Sequence, residues 1–277
     1  MRGKTVVITG GTSGIGEVAA VALAGMGARI VLVARDRKRA EATLARLREK
    51  GPEARHAVYY ADLSSMAETG RIGREIAAAE PRVDVLINNA GALFPRREET
   101  AEGLERTFAT NHMSYFLLTH ALREPLTAAA LAGKGARVIN TSSGAHCGAR
   151  LDFGDLQMRR DYRAFRAYSR SKLCNILFTR ELARRWQGTG VTANSLHPGF
   201  VNTRFGNQTG MFRFLKLFAI SPEKGSKTLI YLASAQEPAS VSGAYFYKCR
   251  VAPVSKEAQD DGAALRLWEE TEKLAGL

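Results

Sequence analysis

Tyr168 and Lys172 are the two residues of this sequence whose types and spacing best suit proton-transfer chemistry. They stand at positions i and i+4, which share one face if the stretch is helical. A free tyrosine has a pKa of about 10, and a neighbouring ammonium group lowers it by stabilising the phenolate. A tyrosine tuned in this way can exchange a proton with an alcohol or carbonyl oxygen. The same spacing also occurs by chance, so the context of the pair decides its interpretation.

Two other stretches supply that context. Ser142 and Ser143 end an apolar run at 136–141, where a hydroxyl can hold a substrate oxygen. The segment "TGGTSGIG" (9–16) lies between an apolar run and an amphipathic pattern. Glycines there would serve a plain strand-to-helix turn, or would let a pyrophosphate approach the N–H groups that begin a helix. We favour the phosphate site, because the segment is denser in glycine than a turn requires.

Apolar, β-branched runs alternate with helical patterns along the chain and position these residues. This alternation predicts a doubly wound α/β Rossmann fold, with a parallel seven-stranded sheet and helices on both faces. Because no linker, repeat or low-complexity tract interrupts it, residues 1–277 are predicted to form one domain. Ligands of such sheets bind beyond the carboxyl ends of the strands. Strands are predicted at 4–9, 29–34, 55–60, 83–88, 136–141, 190–196 and 243–247, and helices at 14–26, 36–49, 65–80, 100–131 with a break, 161–186, 222–235 and 256–274.

The residues after the second strand bear on the choice of cofactor. An acidic residue at this position suits the ribose 2′-hydroxyl of NAD, whereas an arginine suits the 2′-phosphate of NADP. The chain has Ala34 and then Arg35, which favours NADP. Asp36 follows, and it would either begin the next helix or bind the hydroxyl.

The ends of the third and fourth strands leave alternatives open. Asp62 would bind an adenine amine or cap the helix that follows it. The stretch "NNAG" (88–91) would form a simple turn, or it would lock the centre of the sheet and face the cofactor ribose.

Together these motifs resemble the short-chain dehydrogenase/reductase family, and more closely its retinol dehydrogenase-like branch. The family motifs stand in family order over nearly the whole chain: "TGGTSGIG" (9–16), "NNAG" (88–91), Asn111, Ser143, the Tyr168 and Lys172 pair, and "HPG" (197–199). The branch is indicated by "NHMSYFLLT" (111–119), "FGDLQ" (153–157), "YSRSKLCNILFTRELARR" (168–185) and "GTGVTANSLHPGFVNT" (188–203).

The resemblance implies a role for each site residue. Tyr168 would be the acid/base, and Lys172 would lower its pKa and hold the nicotinamide ribose. Ser143, rather than Ser142, would orient the substrate oxygen, and Asn111 would anchor a water in a proton relay. The implied NADP(H)-binding residues are Gly10, Ser13, Gly14, Ile15, Gly16, Arg35, Asp62, Leu63, Asn89, Ala90, Gly91, Tyr168, Lys172, Pro198, Gly199, Val201 and Thr203.

The implied activity is NADP(H)-dependent hydride transfer to or from a small lipophilic aldehyde, ketone or alcohol. The alternative is a catalytically weak, NADP-binding regulator of the same fold. The insertion at 144–167 is expected to reshape the substrate mouth, and a substrate lid is expected at about 204–221. Within the lid, 211–220 mixes apolar and basic residues, which would suit a lid helix, a core helix or peripheral membrane contact.

Composition restricts the remaining function classes. The net charge of +13 is spread among acidic residues without an aromatic-basic stripe, so no nucleic-acid partner is expected. Three scattered cysteines predict neither a disulfide framework nor a metal site. The first strand begins almost at the N-terminus, which leads us to expect no signal peptide and a cytoplasmic location. The family resemblance implies a homodimer or homotetramer built from the helices that carry Asn111 and Tyr168, or a monomer, as is common for branch members with C-terminal extensions.

Overall fold

Strands and helices alternate along the first half of the computed structural model, which describes residues 1–201 and 219–277 apart from the side chain of Lys134. Asp36 begins the second helix and Ser65 the third, since each side chain accepts a hydrogen bond from the first helical turn. The elements are β1 (Thr5–Thr9), α1 (Gly14–Gly25), β2 (Arg29–Ala34), α2 (Arg37–Lys50), β3 (Ala57–Tyr60), α3 (Met66–Ala79) and β4 (Val85–Asn88).

The second half of the chain continues this alternation with less regular connections. Its elements are α4 (Arg106–Phe108), α5 (Ser114–Ala121), α6 (Arg123–Ala129), β5 (Ala136–Thr141), α7 (Ala164–Arg185), β6 (Val191–His197), α8 (Pro222–Ser234), β7 (Tyr245–Tyr247), β8 (Arg250–Val251) and α9 (Asp261–Ala275). There are π-helical turns at Ala109–Met113 and Ala130–Lys134, and 3-10 turns at Gly144–His146, Glu237–Ser240 and Glu257–Gln259.

The helix predicted over 100–131 begins only at Arg106. Buried Glu105 sets this start, because its carboxylate accepts hydrogen bonds from the main-chain N–H groups of Thr107 and Phe108, at 2.7 and 2.8 Å. Before it, Glu99 and Glu105 pair in an isolated antiparallel bridge, so this stretch is not helical. A regular helical period in the sequence cannot reveal such a cap or the π-helical turn that follows.

The sheet has the strand order β3-β2-β1-β4-β5-β6-β7-β8. The first seven strands pair in parallel, as predicted, and β1 pairs with both β2 and β4. The chain order therefore reverses between β1 and β4, where a doubly wound sheet opens a crevice for a ligand. The predicted doubly wound Rossmann fold is confirmed.

The eighth strand is a difference from the seven-stranded prediction. β8 pairs antiparallel with β7 through a hairpin whose two turn residues, Lys248 and Cys249, have φ angles of 50° and 60°. Two-residue hairpins favour positive φ at both positions, which is why Asn-Gly or Gly-Gly usually marks them in a sequence. Because neither glycine nor asparagine stands here, the residue pattern gave no sign of this hairpin.

Two apolar cores cover the two faces of the sheet. Successive β1 residues alternate between them, with Val7 in one core and Val6 and Ile8 in the other. In 1–201 and 219–277, none of the helices is both long enough and apolar enough to cross a membrane. Most of the predicted lid at 204–221 lies outside the described residues.

Candidate active site

The glycine loop between β1 and α1 approaches neighbouring backbone so closely that side chains would not fit. Gly10 has a φ of +65°, and a Cβ there would lie 2.8 Å from Ala90 Cα. A Cβ on Gly16 would lie 2.3 Å from the Gly10 carbonyl oxygen. Among the described residues, the Ser13 side chain makes no capping hydrogen bond to α1. Ser13 therefore leaves the first N–H groups of α1 without a side-chain acceptor. N–H groups at the start of a helix favour a phosphate.

Asn89 ties this loop to the end of β4. Its side-chain Nδ2 donates to the carbonyl oxygens of Thr9 and Gly10, both at 3.2 Å. Asn88 points the other way and donates to Asn140 Oδ1 at 2.9 Å, inside the sheet. The two asparagines thus do more than form a turn: one locks the centre of the sheet and the other holds the glycine loop.

A cavity of about 700 Å³ lies at this edge of the sheet and holds most of the predicted cofactor residues. Gly16 lies beneath the loop, where it allows α1 to pack closely. Thr203 lies outside the described residues. The predicted residues that line the cavity are Gly10, Ser13, Gly14, Ile15, Arg35, Asp62, Leu63, Asn89, Ala90, Gly91, Tyr168, Lys172, Pro198, Gly199 and Val201.

Arg35 stands at the end of β2 with its side chain 64% exposed and its Nη1 3.6 Å from Asp62 Oδ2. Asp36 caps α2, because its carboxylate accepts from the Arg39 N–H and Nε at 3.0 and 2.8 Å. These hydrogen bonds hold the pKa of Asp36 below its usual value. Arg35 and Asp36 both line the cavity, but the Asp36 carboxylate is already engaged by its own helix.

Asp62 caps no helix, since Ser65 caps α3. Instead its Oδ1 accepts from the main-chain N–H and the hydroxyl of Ser64, at 3.0 and 2.9 Å. Burial disfavours its charge, but the Ser64 hydrogen bonds and the Arg35 guanidinium outweigh burial and lower the pKa of Asp62. A charged carboxylate thus lines the cavity near Arg35.

Some cavity residues carry no signal in the sequence. The Arg106 guanidinium lies over the Phe94 ring at 4.5 Å from its centroid, and it pairs with Glu98. No motif marks these residues, because a loop after β4 and the start of α4 bring them together only in the fold. The unpredicted residues of this group are Phe94, Glu98, Arg106 and Thr110.

Tyr168 and Lys172 lie one turn apart on α7 and share a face, as predicted, with Lys172 buried and Tyr168 half-buried. Lys172 Nζ donates to the carbonyl oxygen of Thr141, at the end of β5, with a distance of 3.0 Å. The same nitrogen lies 5.5 Å from the centroid of the Tyr168 ring. Gly91 passes beside it, and a Cβ there would lie 3.4 Å from both Lys172 Nζ and Asn111 Oδ1. The ends of β4 and β5 and the helix α7 therefore meet at one point.

The two serines after β5 face in different directions. Ser142 lines the cavity, but it is buried and its hydroxyl is already donated to the main-chain oxygen of Lys172 at 2.7 Å. Ser143 instead hydrogen-bonds with the Tyr168 side chain. Geometry therefore favours Ser143 over Ser142 as the serine beside the reacting oxygen.

Asn111 is fully buried in the π-helical turn between α4 and α5. Its Nδ2 donates to the Ala92 carbonyl and to Ser171 Oγ, both at 2.9 Å, and its Oδ1 accepts from the Ala92 N–H at 2.7 Å. The side chain thus joins α7 to the segment after β4. The water that the family resemblance assigns to Asn111 stays a prediction.

The pKa values of the central pair differ from the expected tuning. Burial raises the pKa of Tyr168 to about 12, although its hydrogen bond with Ser143 acts in the opposite direction. Burial also lowers the pKa of Lys172 to about 7. The expectation that Lys172 brings the Tyr168 pKa toward neutrality did not allow for the loss of hydration at both groups. Before a ligand binds, the site therefore favours a neutral phenol.

This burial predicts that Lys172 destabilises the fold. Its folded pKa of about 7 lies below the ordinary 10.5, so between these values the unfolded chain binds more protons and stability rises with pH. We therefore expect Lys172→Met to raise the melting temperature at pH 7, and the gain to shrink as the pH approaches 10. Thermal melts across this range measure it. Lys227→Met on the exposed face of α8 is the control, and an equal pH trend in that variant would contradict the account.

Comparisons with known proteins agree with this geometry. The family described as short chain dehydrogenase matches residues 4–212, which is most of the chain. The chain belongs to the short-chain dehydrogenase family. Retinol dehydrogenase 13 of Homo sapiens is 40% identical over 99% of this chain and 85% of its own length. The Streptomyces sp. (strain C5) protein DnrU, named as a daunorubicin C-13 ketoreductase, is 39% identical over 100% of this chain and 94% of its own length.

Solved structures of short-chain dehydrogenases share the fold. An uncharacterised protein from Mycobacterium paratuberculosis superposes with a TM-score of 0.79 at 32% identity, covering 99% of this chain and 94% of that one. A Pseudomonas aeruginosa RhlG complex with NADP gives 0.72 at 28% identity, covering 89% and 94%. This short-chain dehydrogenase is therefore a hydride-transfer oxidoreductase of the retinol dehydrogenase-like branch, from a family that uses NAD or NADP.

Proposed function

We propose that the protein is an NADP(H)-dependent oxidoreductase that acts on small lipophilic aldehydes or ketones and the matching alcohols. One observation carries this proposal. Tyr168 and Lys172 line the same cavity as the glycine loop and Arg35, and the Tyr168 side chain hydrogen-bonds with Ser143. A proton donor and a dinucleotide site thus share one crevice. The glycine loop has no room for side chains, and it leads into the N-terminus of α1. Both features fit the pyrophosphate of the cofactor.

The nicotinamide, when bound, supplies or accepts the hydride. In the reducing direction Tyr168 donates its phenolic proton to the substrate oxygen, which Ser143 holds in place. The Lys172 ammonium, on the same face of α7, stabilises the phenolate that remains. Asn111 holds the segment after β4 against α7. It thereby fixes the distance between Tyr168 and that segment, which lines the proposed cofactor site. In the oxidising direction the phenolate takes the proton back.

The preference for NADP rests on Arg35. Its ion pair with Asp62 is long and exposed, so exchange of that carboxylate for a 2′-phosphate requires little free energy. Asp36, the acid that would favour a 2′-hydroxyl, is already bonded to Arg39. Arg39 lines the cavity at the same end, where it neutralises Asp36.

Arg35→Ala is expected to reduce the kcat/KM preference for NADPH over NADH by about 10- to 100-fold, because a hydrogen bond to a charged group contributes about 1.5–3 kcal/mol. Steady-state kinetics with both cofactors measure the ratio. The control is Arg37→Ala, since the Arg37 guanidinium lies over the Tyr60 ring, 4.2 Å from its centroid, and is not among the cavity residues. Equal use of NADH by the unmodified protein would overturn the proposal for NADP.

Aromatic residues near Tyr168 support a lipophilic substrate. Phe165 is 46% exposed and its ring centroid lies 6.4 Å from that of Tyr168, while Phe200 is 43% exposed just after the "HPG" motif. The name of a relative points the same way, since retinol is largely apolar.

The substrate proposal predicts that kcat/KM rises along a series of straight-chain aldehydes. Each buried methylene adds about 0.8 kcal/mol of binding free energy. Two further methylenes should therefore raise kcat/KM by roughly 10-fold, as long as the substrate site buries them. Turnover of NADPH with each aldehyde measures the trend. Phe165→Ser should flatten it. A kcat/KM that falls with chain length would contradict a lipophilic substrate.

The face formed by α5 and α7 bears on assembly. α9 covers part of it within the same chain: Trp268 stacks on Phe178 at 5.7 Å, and His112 Nε2 lies 3.1 Å from Thr271 Oγ1. We infer that a homodimer or homotetramer built on the Asn111 and Tyr168 helices would have to accommodate α9. Cytoplasmic location and peripheral membrane contact through 211–220 also stay predictions.

A catalytically weak, NADP-binding regulator is the second candidate. The glycine loop supports cofactor binding whether or not the protein then catalyses a reaction. The Tyr168 phenol beside Ser143 argues against it, because a site that only binds cofactor has no need of a proton donor paired with a second hydroxyl. Tight NADPH binding without turnover on any carbonyl would favour the regulator.

A further inference from the structure

His146 lies directly beneath Ser143 and contacts its main chain twice. The His146 N–H donates to the Ser143 carbonyl oxygen at 3.2 Å, and the ring Nδ1 lies 2.7 Å from the same oxygen. The residue is 1% exposed and ends the 3-10 turn Gly144–His146, which Ser143 begins. The His146 ring therefore fixes the peptide unit whose side chain reaches Tyr168.

Two main-chain neighbours of the ring determine where its proton lies, and the Cys147 thiol, with its Sγ 3.7 Å from Nε2, is a weak donor that agrees with them. The Ser143 carbonyl oxygen can only accept, so Nδ1 must carry hydrogen. The Ser255 main-chain N–H, 3.2 Å from Nε2, can only donate, so Nε2 must be unprotonated. Burial also lowers the pKa of His146, which favours the neutral ring. In a charged ring Nε2 would also carry hydrogen, so two donors would face each other at Ser255.

Ser255 is itself anchored to the C-terminal part of the chain. Its hydroxyl accepts from the Ala258 N–H at 3.3 Å at the start of the 3-10 turn Glu257–Gln259. Ala258 is fully buried in the apolar cluster that includes Leu177 of α7 and Leu267 of α9. The His146 ring also makes a T-shaped contact with the Tyr245 ring of β7, with ring centroids 5.1 Å apart. The ring thus connects Ser143 to the last third of the fold.

We propose that His146 is a positioning residue for Ser143, held as the neutral tautomer with its proton on Nδ1 by the Ser255 main chain. It acts through Ser143 and touches no reacting atom. The inference rests on the role proposed for Ser143 in substrate binding. None of the sequence motifs assigns this histidine a role.

The tautomer can be read without turnover. In the full chain labelled with ¹⁵N-histidine, NMR is expected to show the His146 proton on Nδ1 and an unprotonated Nε2, with His146→Gln used to assign the resonance. A proton on Nε2 would overturn the inference. Because this readout needs no substrate, a failure of the proposed function leaves its result valid.

Two amide substitutions separate positioning from mere stability. His146→Asn places an amide nitrogen near the position of Nδ1, whereas His146→Gln places its amide near Nε2. We expect His146→Gln and His146→Leu to lose about 100-fold in kcat, as a misplacement of about 1 Å does, with NADPH affinity unchanged. His146→Asn should recover most of this loss. Equal activity of the Asn and Gln variants would overturn the inference.

A double-mutant cycle tests whether His146 acts through Ser143. In a Ser143→Ala background, His146→Leu should cause no further loss of kcat; multiplied losses would overturn the inference. The matched control is His56→Leu, because His56 also bridges two main-chain groups, Ile30 N–H and Gly51 carbonyl, each at 3.0 Å, away from the cavity. It should lower the melting temperature while its kcat stays at the unmodified value.

Discussion

Tyr168→Phe is expected to reduce kcat by about 10³- to 10⁴-fold, the upper range for loss of a positioned proton donor. The phenol is half-buried on α7, its side chain hydrogen-bonds with Ser143, and loss of hydration raises its pKa to about 12. It is therefore protonated and able to donate throughout the neutral range. Phenylalanine keeps the ring and its packing but leaves the substrate oxygen without a proton.

Steady-state kinetics and NADPH titration together test this prediction. NADPH affinity should change little, because the glycine loop and Arg35 stay intact. Tyr59→Phe in β3 serves as the control, since Tyr59 is partly buried in the sheet and lies away from the cavity. Turnover by Tyr168→Phe at the unmodified rate would rule out Tyr168 as the acid.

Gly16→Ala is the second change with a large expected effect. The added Cβ would lie 2.3 Å from the Gly10 carbonyl oxygen and 2.5 Å from Asn89 Nδ2, so the loop must move. Overpacking of this kind costs about 1–3 kcal/mol of unfolding free energy. Because Gly10 and Asn89 form the wall of the cavity, we expect NADPH binding to weaken by about 10- to 100-fold, where each tenfold change is about 1.4 kcal/mol.

The same helix provides a matched control for this change. At Gly25, in the last turn of α1, an added Cβ would meet only Lys50 O, at 4.0 Å. Gly25→Ala should therefore keep NADPH affinity and raise stability by up to about 1 kcal/mol, as alanine does in a helix. Fluorescence titration and chemical denaturation measure both quantities. Equal NADPH affinity in the two variants would show that the loop does not hold the cofactor.

Most of the fold could be predicted from the sequence because the evidence for it is local. Apolar runs and helical periods mark the seven parallel strands, and in such a sheet the carboxyl ends of the strands meet at one edge. In the structure Gly10, Asn89 and Lys172 line one cavity at this edge, and their roles in cofactor binding stay predictions. The i, i+4 spacing of Tyr168 and Lys172 needs only a helix to become a shared face.

The features that the sequence did not predict depend on contacts between distant segments. Phe94 lines the cavity because Tyr162, in the insertion after β5, donates its hydroxyl to the Phe94 carbonyl at 2.7 Å. The tautomer of His146 depends on Ser255, which follows it by more than a hundred positions. The pKa of Tyr168 was expected to fall because charge was considered without burial, and only the fold shows how deeply both groups are placed.

Transfer of deuterium tests the central claim most directly. NADPH carrying two deuterium atoms at the nicotinamide C4 position would be incubated with the full chain and a long-chain aldehyde, and the product examined by mass spectrometry. The account predicts an alcohol with one deuterium on its carbinol carbon, and almost none with Tyr168→Phe. Tightly bound cofactor with no labelled alcohol from any aldehyde or ketone would contradict the oxidoreductase and favour the regulator.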